Sequence, residues 1–200
     1  EVGLSGVPVQ LSSGDWHSCA ILNDASIECW GKNVHGQLGD GTNLDSSEPV
    51  SVSLSGGKAL AVSAGANHTC AVLNDWSLKC WGANDNGQLG VGSTASSNSP
   101  SSVTAGGDVV AVSAGGYHTC ALLADSNMKC WGGNSNGQLG NGGTNQQNDA
   151  SSVVYSLGGV TSIRAGSDHT CAIDSSRMLY CWGSSSEGQV GDGSTSNQVT

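Results

Sequence analysis

Residues 115–140 read GGYHTCALLADSNMKCWGGNSNGQLG, and this stretch decides the fold. Two apolar runs, His118 to Leu123 and Met128 to Trp131, flank the polar linker Asp125-Ser126-Asn127. That is the punctuation of a β-hairpin. With Asp125 at the apex, Cys120 falls opposite Cys130 and Leu122 opposite Met128, while Ala121 and Lys129 share the other face. Opposed residues of a non-hydrogen-bonded antiparallel pair have Cα atoms about 4.5 Å apart, which a disulfide tolerates.

Outward from this stretch the pattern recurs. Gly14, Gly65, Gly115 and Gly166 stand three residues before His17, His68, His118 and His169, at steps of 51, 50 and 51. Ser or Thr follows each His, then Cys-Ala at Cys19, Cys70, Cys120 and Cys171. Ten positions later come Cys29-Trp30, Cys80-Trp81, Cys130-Trp131 and Cys181-Trp182, each before Gly. The units close on Gly-Gln-Leu-Gly at 36–39, 87–90 and 137–140, and on Gly-Gln-Val-Gly at 188–191. A fixed period near 50 residues is the signature of a repeat architecture. In the third unit Val109 to Ala114 reads as a first strand and Ser152 to Tyr155 as a fourth. The other hairpin linkers are Asp24-Ala25-Ser26, Asp75-Trp76-Ser77 and Ser175-Ser176-Arg177.

The expected organisation is one domain of four units, at about 7–57, 58–107, 108–158 and 159–200, with an N-terminal strand in 1–6. Val2-Gly3-Leu4-Ser5-Gly6 resembles Val52-Ser53-Leu54-Ser55-Gly56, the end of a fourth strand, and Gln198-Val199-Thr200 resembles the start of one. The hairpin register pairs Cys19 with Cys29, Cys70 with Cys80, Cys120 with Cys130 and Cys171 with Cys181. Zinc is disfavoured, because each unit supplies only two cysteines on opposed strands rather than a paired knuckle. Disulfides imply an oxidising compartment, so the expected location is secreted or cell-surface.

Composition agrees. Glycine 31, cysteine 8, phenylalanine 0 and 11% charged residues argue against an α-helical enzyme. A formal charge of -10 repels phosphate backbones and anionic lipid, so nucleic acid is not an expected partner. No apolar run approaches the roughly 20 residues of a membrane span. The start at Glu1 lacks a charged and apolar leader, so that a signal peptide, if there was one, is expected to have been removed.

The pattern Gly-x-x-His-x-Cys-Ala, hairpin, Cys-Trp-Gly-x-Asn-x-x-Gly-Gln-Leu-Gly resembles the regulator of chromosome condensation (RCC1) repeat family over the whole chain. The cysteine-bearing form is similar to its extracellular members rather than its nuclear founder. The resemblance implies an all-β fold in which each repeat is one four-stranded antiparallel blade of a β-propeller. The fourth unit departs from the pattern at Ser185, where Asn33, Asn84 and Asn134 stand, and at Val190. Propellers of this family usually close with about seven blades, and the four units here are near the lower limit of closure. Three arrangements follow: a self-closed ring, a ring completed by another copy, or a segment of a longer array. The last two are favoured because end units need neighbours.

The repeated histidines, His17, His68, His118 and His169, are expected to make a hydrogen bond that stabilises each blade. The Trp30, Trp81, Trp131 and Trp182 series is likewise structural, and exposed where a unit ends the array. Catalytic sites combine different residue types, and no Ser-His-Asp or Cys-His nucleophile set stands out. The Gly-Gln-Leu-Gly loop lacks the Lys-Ser/Thr of a phosphate loop, so its Leu is read as a plug between blades. Asp85-Asn86-Gly87 offers too few carboxylates for a calcium site, and the sequon Asn67-His68-Thr69 lies inside the fixed motif. No metal or cofactor is expected.

The informative positions are those that vary. Trp16, Asn67, Tyr117 and Asp168 each precede a repeated His and are the candidate binding residues, with Trp76 at a hairpin tip as a further one. The expected function is a non-enzymatic extracellular binding or structural module that contacts protein, glycan or other copies of itself. The alternatives are a secreted propeller-type hydrolase and a guanine-nucleotide-exchange regulator like the family founder.

Overall fold

The computed structural model describes residues 2–150, 153–154, 157 and 159–200. Its elements are all strands. The first sheet is β1 (Pro8–Ser13), β2 (His17–Leu22), β3 (Ile27–Gly31) and β4 (Ser46–Ser51), in that order. The second is β5 (Ala59–Ala64), β6 (His68–Leu73), β7 (Leu78–Gly82) and β8 (Ser97–Val103), and the third β9 (Val109–Ala114), β10 (His118–Leu123), β11 (Met128–Gly132) and β12 (Val153–Val154). The fourth has β13 (Val160–Ala165), β14 (His169–Asp174) and β15 (Leu179–Gly183), plus a single bridge from Gly183 to Gln198. All pairings are antiparallel. These are four propeller blades in chain order. Among the described residues no helix is long and apolar enough to cross a membrane.

The hairpin register is the expected one. Cys120 pairs with Cys130, Leu122 with Met128 and Ala121 with Lys129. Four disulfides join Cys19 to Cys29, Cys70 to Cys80, Cys120 to Cys130 and Cys171 to Cys181, with Cα atoms 4.0, 4.1, 4.1 and 4.1 Å apart.

Strand alternation divides each blade between two cores. Cys19, Ile21, Ile27, Cys29 and Leu38 of blade 1 pack against Val62, Ala71, Leu73 and Trp81 of blade 2. Blade 2 turns Cys70, Val72, Leu78, Cys80 and Leu89 towards Ala121, Leu123 and Trp131 of blade 3. Cys120, Leu122, Met128, Cys130 and Leu139 meet Ile163, Ala172 and Trp182 of blade 4 in the same way. Cysteine and tryptophan are adjacent in sequence and so point to opposite faces. The bridge looks forward to the next blade and the indole back to the previous one. In a chain without phenylalanine, bridges and indoles supply much of the interblade filling.

Three expectations are corrected, and a fourth is met as far as the described residues reach. Residues 2–6 form no strand; instead Ser5 N donates to Glu28 Oε2 at 3.1 Å and the segment lies over blade 1. Of the expected strand at 152–155, Val153 and Val154 are paired with β11, while Ser152 and Tyr155 lie outside the described residues. Trp182 is not exposed at the end of the array: it is 3% exposed because blade 3 covers it, and only Trp30 of that series is partly open. The fourth hairpin linker, expected at Ser175-Ser176-Arg177, is set one position later: Arg177, φ 66°, matches Ala25, Trp76 and Ser126, the middle residue of the first three linkers.

Candidate functional site

The repeated histidine belongs to an interblade latch. His17, His68 and His118 place Nε2 at 2.8, 2.8 and 2.9 Å from Oγ1 of Thr69, Thr119 and Thr170, each one blade further on. Each threonine hydroxyl donates to the main-chain carbonyl of Gln37, Gln88 or Gln138 at 2.8 Å. Its proton is thus committed, so the imidazole must donate from Nε2. Nδ1 is then left bare, buried and without a partner in all three. Burial pushes the imidazole pKa down, to about 4 for His17, about 3 for His68 and about 4 for His118. Neighbouring imidazoles add a smaller contribution at His68 and His118. The bond expected to stabilise each blade thus runs to the next blade. His169 makes no such bond, because no blade follows it among the described residues.

The glutamine carbonyl has a second donor. Nε1 of Trp81, Trp131 and Trp182 donates to Gln37, Gln88 and Gln138 at 3.0 Å. Gly90, at φ 72°, holds the socket open: a Cβ there would lie 2.5 Å from Nε1 of Trp131. The loop that carries the glutamine is braced by Asn33, Asn84 and Asn134, whose Oδ1 accepts from Leu38, Leu89 and Leu139 N at 2.9 Å. Ser185 replaces that brace in the fourth unit with a longer bond to Val190 N, 3.4 Å.

With the latch occupied, chemistry is left to the variable positions. The carbonyls of Trp16, Asn67, Tyr117 and Asp168 accept from Lys32, Ala83, Gly133 and Ser184 N at 2.9, 2.8, 2.7 and 2.7 Å. This holds all four at the same end of their blades, next to the Asn-x-x-Gly loops. Trp16 is 66% and Tyr117 47% exposed, and Lys32 Nζ lies 5.7 Å from the Trp16 ring centroid. Asn67 and Asp168 are half-buried; their Oδ1 atoms accept from Gln37 and Gln138 Nε2 at 3.5 and 3.4 Å. The sequon at Asn67 ends on the fully buried Thr69.

Trp76 does not join them. It sits at the opposite end of β6, roughly 20 Å away for a six-residue strand. Its backbone is left-handed, φ 63°, and its carbonyl accepts from Val109 N at 3.0 Å. Among the described residues no three His, Cys, Asp or Glu side chains are grouped to hold a metal ion.

Sequence reading missed the threonine and glutamine as latch partners. It also missed Ser12, Ser63 and Ser113, whose hydroxyls accept from Ala64, Ala114 and Ala165 N of the next blade at 2.9, 3.0 and 2.9 Å. Their recurrence at the repeat period was the available signal.

Two family profiles described as regulator of chromosome condensation (RCC1) repeat match the chain. One matches residues 9–37, 60–88, 109–138 and 160–189, the other 29–72 and 80–122. The Arabidopsis thaliana ultraviolet-B receptor UVR8 is 34% identical over 98% of this chain and 46% of its own length. Yeast RCC1 (Prp20), solved bound to Kap60, superposes with a TM-score of 0.87 at 22% identity, over 100% of this chain and 49% of the other. The ectodomain of the Physcomitrella patens receptor kinase CR4 gives 0.57 at 24% identity, over 92% and 44%. The chain thus spans about half the length of these relatives.

Proposed function

The chain belongs to the regulator of chromosome condensation (RCC1) repeat family, and from that premise we propose that it is a non-enzymatic binding module working outside the cell. Its recognition surface is the face carrying Trp16, Asn67, Tyr117 and Asp168, and its partner is a protein. The observation that carries this reading is the contrast between neighbours in sequence. The latch histidine repeats with the same bonds, while the residue before it changes in every unit and is twice an exposed aromatic. Exposed Trp and Tyr beside a cation are the composition of protein-binding hot spots.

Absence of catalysis is argued from the side chains that would perform it. The buried imidazoles are neutral and already bonded, and the cysteines are in bridges. The extracellular assignment rests on those four bridges and is in keeping with the ectodomain that shares the fold. The -10 charge opposes nucleic acid.

The test displays the disulfide-intact chain to cell surfaces and cross-links its partners. Trp16→Ala with Tyr117→Ala removes the cross-links and leaves the melting temperature unchanged; unaltered cross-links overturn the assignment of the face. Alkylation of the native protein before lysis finds all eight cysteines oxidised. Free thiols would refute the extracellular assignment. A broad hydrolase screen is flat, and turnover abolished by changing one side chain would overturn the non-enzymatic reading.

A further inference from the structure

Four copies of one unit give each position its own internal standard, and one cavity departs from it. A cavity of about 340 Å³ opens on the loop of blade 3, lined by Asn86, Tyr117, Ser135, Thr144, Gln146 and Asp168. That volume is at the small end of ligand sites.

Two substitutions against the repeat accompany it. After the glycine that ends the third strand, the other units carry Lys32, Ala83 and Ser184, and this one carries Gly133. A Cβ at 133 would stand 3.3 Å from Tyr117 Cβ and 3.6 Å from Asn86 Cβ, so its absence widens the gap between those two side chains. Further along the loop, Asp45, Ser96 and Asn197 accept from the main-chain N of Asn33, Asn84 and Ser185 at 2.7, 3.2 and 3.0 Å, tying the loop back on itself. The third unit has Gln146 there, and its Nε2 donates instead to Asn148 Oδ1 at 3.1 Å. Gln146 is left exposed at the rim of the cavity.

The lining selects its ligand. Tyr117 offers a half-exposed ring, a platform for the apolar C–H face of a sugar. Asn86 and Gln146 offer amides that both donate and accept, Ser135 and Thr144 hydroxyls, and Asp168 a carboxylate that accepts only. Adjacent hydroxyls of a pyranose also donate and accept, and match such a set. No Lys or Arg lines the cavity to hold an anion. One aromatic makes no cage for a cation; the Asp168 oxygens each accept one bond, from Gln138 Nε2 and Ser167 Oγ at 3.4 and 3.1 Å, and each keeps a lone pair for a sugar hydroxyl. We propose that this cavity binds one neutral pyranose ring, the terminal residue of a glycan, stacked on Tyr117 and hydrogen-bonded through Asp168 and the flanking amides. The proposal rests on reading the variable face as a recognition surface, and gives one part of it a ligand class.

The test is a titration of the isotope-labelled, disulfide-intact chain, followed by amide chemical shifts. The probes are glucose, galactose, mannose and N-acetylglucosamine, with glucuronate as the anionic control and choline as the cationic one. At least one neutral sugar produces saturable shifts at Tyr117, Gly133 and Gln146 at millimolar concentration, and neither control does. Tyr117→Ala weakens binding by about tenfold or more. Gly133→Ala, which restores the second unit's residue, does the same with the spectrum of the fold intact, and serves alone if Tyr117→Ala fails to fold. No saturable shift with any neutral sugar, or shifts with choline alone, would overturn the proposal. A sugar response in the unaltered chain that Gly133→Ala weakens, together with cross-links that survive Trp16→Ala with Tyr117→Ala, would sink the protein-binding reading and leave this one standing.

Discussion

The latch histidines set the acid limit of the fold. In the unfolded chain an imidazole takes up its proton near its ordinary value of 6.5; in the folded chain His17, His68 and His118 resist protonation to about 4, 3 and 4. The unfolded state therefore binds more protons across that window. The stabilisation is complete above pH 6.5 and is lost as pH falls towards 4, by about 1.4 kcal/mol per pH unit for each buried imidazole. The hairpin carboxylates Asp24, Asp75 and Asp125, held below their ordinary 3.8 by bonds to Ser26, Ser77 and Asn127, act only below that window. Urea melts between about pH 7 and pH 5 show falling midpoints, and a flat profile would refute neutral, buried imidazoles. Thr119→Val tests the same latch: it leaves the His68 Nε2–H and the Gln88 carbonyl short of a partner and costs about 2 kcal/mol. Thr119→Ser, the residue that blade 1 carries as Ser18, restores most of the loss in the same melts.

At the scale of the hairpin, each bridge closes a span of ten residues between strands already in register. Cross-linking so short a loop removes modest chain entropy, and the Cys120→Ala, Cys130→Ala pair loses about 2 to 3 kcal/mol. Because Cys120 and Cys130 also fill the core between blades 3 and 4, the loss comes with looser packing around Trp182. Indole fluorescence shifted to the red, together with a lowered denaturation midpoint, is the expected result; an unchanged midpoint would show the bridge idle. Most of the hairpin was legible in the sequence: strand limits, apex and cysteine pairing all follow from period-2 patterning and local spacing. The fourth linker was set one position too early because Ser175-Ser176 imitates the polar turn of the other units, while the left-handed residue is Arg177.

At the scale of the molecule, each blade is half of two interfaces, and the end faces carry unmatched halves. Blade 1 presents Trp30 with Val9 and Leu11, 65% and 64% exposed. Blade 4 presents Met178 and Leu179, 57% and 65% exposed, and a socket glycine, Gly191, against which nothing packs. The internal interfaces join these same features, since Trp182 fills the socket at Gly140. We propose, on these exposed apolar residues alone, that a second copy packs against these faces. Light scattering on the 19.9 kDa chain gives a mass above that of one copy, and Leu179→Asp lowers it. A monodisperse single copy would sink the assembly.

What the sequence determined by itself was whatever a contact of short range can encode. The recurrence of His, Cys-Ala and Cys-Trp-Gly announced the units, and alternation within a strand placed cysteine opposite cysteine, because both depend on neighbours within about ten residues. Only the tertiary structure decided that His118 meets Thr170, that Trp131 meets the Gln88 carbonyl, and that Gly133 and Gln146 open a cavity beside Tyr117 and Asp168. Those partners lie 52 and 43 residues apart for the two bonds. They come together only when one blade stacks on the next, an arrangement that no local periodicity specifies.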